Sequence, residues 1–346
     1  MRAAVTVAPN VIEIDTIDPP SGPELDGLII RPELVGVCGS DIHFYTGHLE
    51  TAPKDGPQFP RIQGHEFAGI VEAVGDAVKD DFEVGQRVAV WPLSSCGRCY
   101  PCRVGRPSVC DNFSIIGIHT DGALTERLRV PARQAFPTGD LSAALSSFVE
   151  PVAVGAHAVA RAAVGSGERV VVFGGGPIGQ AVSLAAQHRG GRVLIVEPLA
   201  SRREISLQLG AEAVLDAAAD TLAGTLSDWT DGDGAAVVFD TSGSPAAIRA
   251  AVEAVASAGR VVVLSISDGM VSLPIAAFTE KEFDLIGSSC HDSRDFTDAI
   301  EIVASKRPSL ESLLGVQFSL DDTAKALEFS SERADAALKV MVRVSE

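Results

Sequence analysis

The chain has 346 residues, 46% hydrophobic and 21% charged, which gives room for about two domains with sizeable cores and excludes a disordered tail. Its 28 basic and 46 acidic residues leave a formal charge of −18, so phosphate backbones and anionic lipid heads would repel it, and neither nucleic acid nor a membrane is an expected partner. The N-terminal MRAAVTVAPNVIEID reads as alternating strand material without the apolar core of a signal peptide. The longest uncharged window, 170–187, contains Gly-Gly-Gly-Pro and is no plain membrane helix. Six cysteines, four of them within fifteen residues, are too sparse for a disulfide-rich secreted scaffold and point to metal in a reducing compartment, so a cytoplasmic location is expected.

Two textures follow along the chain. Residues 1–148 are rich in Gly, Pro and short β-type runs such as GIVEAV (69–74) and QRVAVW (86–91). Residues 149–289 alternate strand and helix. VVVF (170–173) leads through a glycine turn into the helix IGQAVSLAAQHRG, and RVLIVE (192–197) into SRREISLQLGA. AAVVFDTSG (235–243) leads into SPAAIRAAVEAVASAG, read as helix throughout, and RVVVLSI (260–266) continues the series. Apolar runs separated by amphipathic helices predict a doubly wound parallel sheet covered on both faces, hence an α/β fold. The tail, 290–346, holds the helical stretches DFTDAIEIVAS and DDTAKALEFS and a closing strand ALKVMVRV, and is expected to complete the first domain.

Cys96, Cys99, Cys102 and Cys110 have the spacing C-x2-C-x2-C-x7-C, with Gly97, Pro101 and Gly105 to bend the loop. Four thiolates so placed suit a tetrahedral structural zinc with no open position. Two disulfides or an iron–sulfur cluster are the other readings, but ferredoxin spacing closes with x3 and a proline, where this chain has x7 and Asp111.

Gly174-Gly175-Gly176-Pro177-Ile178-Gly179 fits G-x-G-x-x-G and lies between a strand and a helix, the context that motif requires for a dinucleotide. Gly174 serves the tight turn, Gly176 the approach of pyrophosphate, and Gly179 close strand–helix packing. Glu197 ends the next strand, where a carboxylate bonds ribose hydroxyls and repels a 2′-phosphate, so NAD is expected rather than NADP. Arg202 and Arg203 follow it. They read either as solvated charges near a helix start or as a pair able to accept a phosphate.

Taken with GVCGSDIH, GHEFAGIVEAVG and VEPVAVGAHAV in this order, these features make the chain resemble the zinc-containing medium-chain dehydrogenase/reductase family. SIIGIHTDGALTERLRVP and the Glu-Pro of VEP (149–151) carry a narrower likeness to its polyol and sugar-acid branch, which includes sorbitol, galactitol-phosphate and galactonate dehydrogenases. The resemblance implies a Rossmann-type NAD-binding domain (149–289) and a mainly β GroES-like catalytic domain (1–148 with 290–346). It also implies two zinc ions per chain and a homo-oligomer, dimer or tetramer. Cys38, His65 and Glu66 would surround a catalytic zinc, with Glu150 as fourth or exchanging ligand; a carboxylate opening a helix is the other reading of Glu150. Ser40 would stand beside the substrate oxygen and pass its proton through the cofactor ribose to His43 and solvent, and Arg202 would touch the adenosine ribose. Asp41 is expected to orient its loop.

The implied substrate is a small alcohol, polyol, sugar or sugar-derived secondary alcohol. The alternatives are an aminocyclitol, a diol or a hydroxy amino acid, or a non-catalytic dinucleotide-binding redox sensor. His119, Phe44 and Tyr45 stand between pocket and packing roles. Where several polyol-type relatives carry an arginine, this chain has Ser288, Ser289 and Cys290, which disfavours an acidic substrate unless Arg294 substitutes.

Overall fold

The computed structural model describes residues 1–48, 58–218, 222–266, 269–333 and 337–345. They form two compact units, Met1–Glu150 with Asp292–Glu346, and Pro151–His291.

The first unit is built on a largely antiparallel sheet. Its strands run in the order Ala135–Pro137, Arg87–Val90, Glu66–Val74, Gly27–Gly36, Val340–Arg343 and Val316–Ser319, with Leu128–Pro131 also paired to Gly27–Gly36. Alternation puts Leu28, Ile30, Val35, Phe67, Val71, Val88 and Val342 into one core against the helix Thr323–Glu332. The tail strand Val340–Arg343 thus joins the sheet of the N-terminal segment. In the register, Gly36 lies opposite Glu66 on one side and Met341 on the other.

The second unit is a six-stranded, wholly parallel sheet. Its order is Ala213–Leu215, Arg192–Val196, Arg169–Phe173, Ala235–Asp240, Val255–Val263 and Asp284–Gly287. Numbered along the chain this is 3-2-1-4-5-6, the doubly wound order, and its direction reverses between Arg169–Phe173 and Ala235–Asp240. Val170–Phe173, Val193–Val196 and Val237–Phe239 are all buried, as strands covered on both faces must be. Truncating a side chain such as Phe239, which is fully buried, would cost about 3–5 kcal/mol.

One boundary differs from the sequence expectation. The helix starting at Pro245 stops at Ala254, and the strand Val255–Val263 begins at once, taking in the VASAG that the strand–helix alternation had assigned to helix. Val255 turns extended with its side chain in the core, and Ala258 takes a left-handed φ of 59°. Core burial outweighs helix propensity there.

Candidate active site

Cys38 ends the approach from the strand Gly27–Gly36 and caps the short helix Gly39–Tyr45. The Asp41 carboxylate folds back to accept the Cys38 N–H at 2.9 Å, which fixes the turn that presents the thiol. His65 and Glu66 stand at the start of the strand Glu66–Val74, beside Gly36. The Sγ of Cys38, a ring nitrogen of His65 and a carboxylate oxygen of Glu66 lie within 4.8 Å of one another, a soft–borderline–hard donor set that fits one zinc ion with a place left open.

Ser40 Oγ donates to Cys38 Sγ at 3.1 Å and lies 3.3 Å from Nε2 of His65. Nδ1 of that ring faces Asp41 at 3.4 Å. Burial opposes charge on His65, but Asp41 and then Cys38 outweigh it and hold the ring's pKa well above the usual histidine value. His43, one turn along the helix from Ser40, is exposed. Glu150 lies in the first turn of the helix Val149–Arg161 and is 8% exposed. It falls outside the three-residue donor group, but its charge acts on Glu66 and on Lys339.

Lys339 was not foreseen. Its Nζ donates to Glu66 Oε1 at 2.6 Å and lies 2.5 Å from Oε2, with both side chains buried. Burial alone would lower the lysine's pKa, but Glu66, then Cys38 and Glu150, more than offset it and keep the ammonium charged. For Glu66, burial and the charge of Glu150 outweigh Lys339 and His65 and push its pKa up. In the sequence this lysine is one of two cations in ALKVMVRV, which carries no long-range information.

The four-cysteine loop is equally well formed. Neighbouring Sγ atoms stand 3.4 Å (Cys99–Cys102), 3.7 Å (Cys99–Cys110) and 3.4 Å (Cys110–Cys96) apart, and all four cysteines are unbridged. A tetrahedron of 2.3 Å Zn–S bonds has edges of about 3.8 Å, so the four fit one ion. Backbone N–H groups of Cys96 and Asn112 point at Cys110 Sγ, as they would at a thiolate. Those of Arg98 and Cys99 draw the Cys96 pKa down to about 6.

In the second unit, a cleft of about 810 Å³ lies at the point where the strand order reverses. Gly174, Gly176, Pro177, Ile178, Gly179, Glu197 and Arg202 all line it, with Thr241 and Ser242 opposite. Gly174 has a φ of +102°, and a Cβ at position 179 would lie 1.8 Å from the Gly174 carbonyl oxygen, so neither site admits another residue unchanged. Gly176 caps the helix Pro177–His188, so the free N–H groups of the first turn open beside the cleft and could receive an anion. The Glu197 carboxylate accepts from the N–H groups of Gly175 (2.6 Å) and Leu199 (2.9 Å), while Arg202 lies 3.9 Å away. Arg203 turns instead to the carbonyls of Glu197 and Pro198 and to Asp216. Asp240, missed as a positioning group, is fully buried and accepts from Ser242, Gly243 and Ser265, tying together the loops that leave two neighbouring strands.

Phe44, Tyr45 and His119 each make contacts within the first unit. Phe44 is buried against Phe59 and Ile118, Tyr45 donates to the Asn10 carbonyl, and His119 accepts the Ile115 N–H at Nδ1. Arg294 is exposed and paired with Asp292 at 2.8 Å. No helix among the described residues is long and apolar enough to cross a membrane.

Fold and donor groups together define a metal-binding, dinucleotide-binding dehydrogenase. Residues 24–140 match the alcohol dehydrogenase GroES-like domain, and residues 177–305 the zinc-binding dehydrogenase domain. The 2-dehydro-3-deoxy-L-galactonate 5-dehydrogenase of Pseudoalteromonas atlantica is 35% identical over 92% of this chain and 90% of its own length. The sorbitol dehydrogenase of Bacillus subtilis is 32% identical over 99% of this chain and 97% of its own. Two solved structures superpose closely. An alcohol dehydrogenase of Escherichia coli CFT073 in complex with NADH has a TM-score of 0.89 at 26% identity, covering 99% of each chain. A zinc-binding dehydrogenase of Sinorhizobium meliloti 1021 bound to NADP has a TM-score of 0.88 at 28% identity, covering 99% of this chain and 98% of the other. The chain belongs to the zinc-containing medium-chain dehydrogenase/reductase family. It is an oxidoreductase of the alcohol and polyol dehydrogenase kind.

Proposed function

We propose that the protein oxidises a secondary alcohol of a polyol, sugar or sugar-derived substrate with NAD⁺. The observation that carries this reading is the donor group of Cys38, His65 and Glu66, the last two buried, with the Ser40 hydroxyl set against two of its members. These three residues would hold a zinc ion, with Glu150 as fourth or exchanging ligand, and bound zinc would supply the Lewis acidity that brings a hydroxyl pKa towards ~7. Cys96, Cys99, Cys102 and Cys110 would hold a second, structural zinc.

Ser40 accepts the substrate's hydroxyl proton, and the exposed ring of His43 releases it to solvent. The carbon loses its hydride to the nicotinamide, so one alcohol and NAD⁺ yield one ketone, NADH and a proton. Asp41 holds the His65 ring, and the buried setting keeps water from competing with the substrate hydroxyl.

Glu197 supports NAD over NADP, because a buried carboxylate in the ribose region repels a 2′-phosphate and Arg203 is turned to backbone carbonyls. A neutral polyhydroxy substrate is supported by the charge of −18 and by the pairing of Arg294 with Asp292. A sugar acid is the second reading, favoured by the name of the 35% identical relative. The six free cysteines support a reducing compartment such as the cytoplasm. The strand Asp284–Gly287 ends its sheet with Leu285 46% exposed, near-neighbours in sequence Ile275 and Met270 being 81% and 95% exposed, which supports a homo-oligomer meeting at that edge.

A panel of polyols, sugars, sugar acids and monohydric alcohols with NAD⁺, followed by NADH absorbance, tests the reading. Vicinal diols should turn over faster than monohydric alcohols of equal size. Faster turnover of ethanol or a long-chain primary alcohol than of any polyol or sugar would overturn the substrate class.

A further inference from the structure

We infer that Gln180 is a positioning residue for coenzyme selection, which clamps the glycine turn to the helix Ala200–Gln208 and so keeps Glu197 and Arg202 apart. This rests on the reading of Glu197 as the group that favours NAD⁺ over NADP⁺.

Gln180 lies near the start of the helix Pro177–His188 and is fully buried. Ala181, Val182, Leu184 and Ala185 are its buried companions on that helix. A leucine would serve the packing, because a buried amide that leaves a polar atom unpaired costs free energy. Oε1 of Gln180 is such an atom, with no hydrogen-bond partner among the described residues. What the side chain contributes therefore lies in its other end.

Nε2 donates twice, to the Gly175 carbonyl at 2.9 Å and to Ser206 Oγ at 2.7 Å. Ser206, also fully buried, donates in turn to the Arg202 carbonyl at 2.8 Å. One amide thus joins the glycine turn to the backbone that carries Arg202.

Gly175 is gripped from both sides. Its carbonyl accepts from Gln180, while its N–H donates to Glu197 Oε2 at 2.6 Å. Oε1 of Glu197 accepts the Leu199 N–H at 2.9 Å. Each carboxylate oxygen spends one acceptor direction on backbone and keeps another for a ribose hydroxyl. The Arg202 guanidinium stands 3.9 Å from Oε2, too far for a hydrogen bond. Without the clamp, the Gly175 peptide can turn and release Oε2, and the helix can bring Arg202 onto it. A carboxylate neutralised in this way loses its repulsion of a 2′-phosphate.

The test uses the full-length enzyme, Gln180→Met, Ser206→Ala and the double variant, with metal content and unfolding temperature as the check that each is folded. NAD⁺ binding is measured by calorimetry, and kcat/KM is compared for NAD⁺ and NADP⁺ with the fastest alcohol of the substrate panel. Gln180→Met should bind NAD⁺ about tenfold more weakly and lower the NAD⁺:NADP⁺ ratio by about tenfold, the usual worth of one hydrogen bond. Its kcat at saturating NAD⁺ should stay within about twofold of native, since the clamp touches neither the metal site nor the reacting carbon. Ser206→Ala should move the ratio in the same direction. The double variant should lose no more than the worse single one, because both substitutions cut the same link.

A Gln180→Met protein that keeps the native ratio, or that weakens both coenzymes equally, overturns the inference. So does a double variant whose loss is the product of the two single losses. If Gln180→Met fails to fold, Ser206→Ala decides alone, and an unchanged ratio overturns the clamp. A native protein that prefers NADP⁺ removes the reading of Glu197, a separate result; the clamp is then judged by whether the NAD⁺ affinity losses of the two single variants merge in the double one.

Discussion

Oδ1 of Asp41 stands 3.4 Å from Nδ1 of His65, and both side chains are shut off from solvent. The contact leaves Nε2 turned towards Ser40, while Oδ2 of the same carboxylate takes the Cys38 N–H. One carboxylate thus orients two of the three donors. Asp41→Asn should weaken zinc binding at that site by about 10- to 100-fold, measured by competition with a chromophoric chelator. An unchanged affinity would show that the ring is held by its own packing.

Gly179 makes a sharper demand, because a Cβ would sit 1.8 Å from the Gly174 carbonyl oxygen. Gly179→Ala must displace the turn proposed to receive the pyrophosphate. Calorimetric titration should find NAD⁺ bound at least about tenfold more weakly, or ~1.4 kcal/mol, with metal content unaltered. Equal affinity would mean the cofactor does not use this turn.

Glu197→Ala should weaken NAD⁺ and improve the relative use of NADP⁺, since the side chain supplies both hydrogen-bond acceptance and repulsion of a 2′-phosphate. The ratio of kcat/KM for the two coenzymes reads this directly. A native protein that prefers NADP⁺ would transfer the decisive role to Arg202.

Ser40→Ala should lower kcat by about 10²-fold or more, as loss of a general acid–base group does. His43 is exposed, so buffer can replace it. His43→Ala should lose less and recover in part with added small bases. Equal losses, neither rescued, would separate both residues from proton transfer.

What the sequence made legible was local. The glycine turn and the four-cysteine loop are set by spacing over a few residues, so their chemistry could be reasoned from residue types alone. Cys38 and His65 are 27 positions apart, and only the family resemblance joined them. Lys339 reaches Glu66 across 273 residues through sheet register, which no local pattern encodes. The helix ending at Ala254 was over-extended for a related reason: the strand–helix alternation carried helix through VASAG, while the burial that makes Val255 a strand residue depends on neighbours distant in sequence. Arg294, a candidate substrate cation in the sequence, has its partner Asp292 two residues away, and only the structure shows the pairing.

The central claim is two metals with two different jobs, and metal analysis with thermal unfolding on three proteins tests it most directly. The native chain should hold two zinc ions. Cys38→Ala should hold one, keep its unfolding temperature within a few degrees, and lose turnover, because its site is open and local. Cys99→Ala should instead unfold at markedly lower temperature, since a closed four-thiolate site contributes to folding. One zinc in the native chain, or a Cys38→Ala protein that still turns over substrate, would contradict the account.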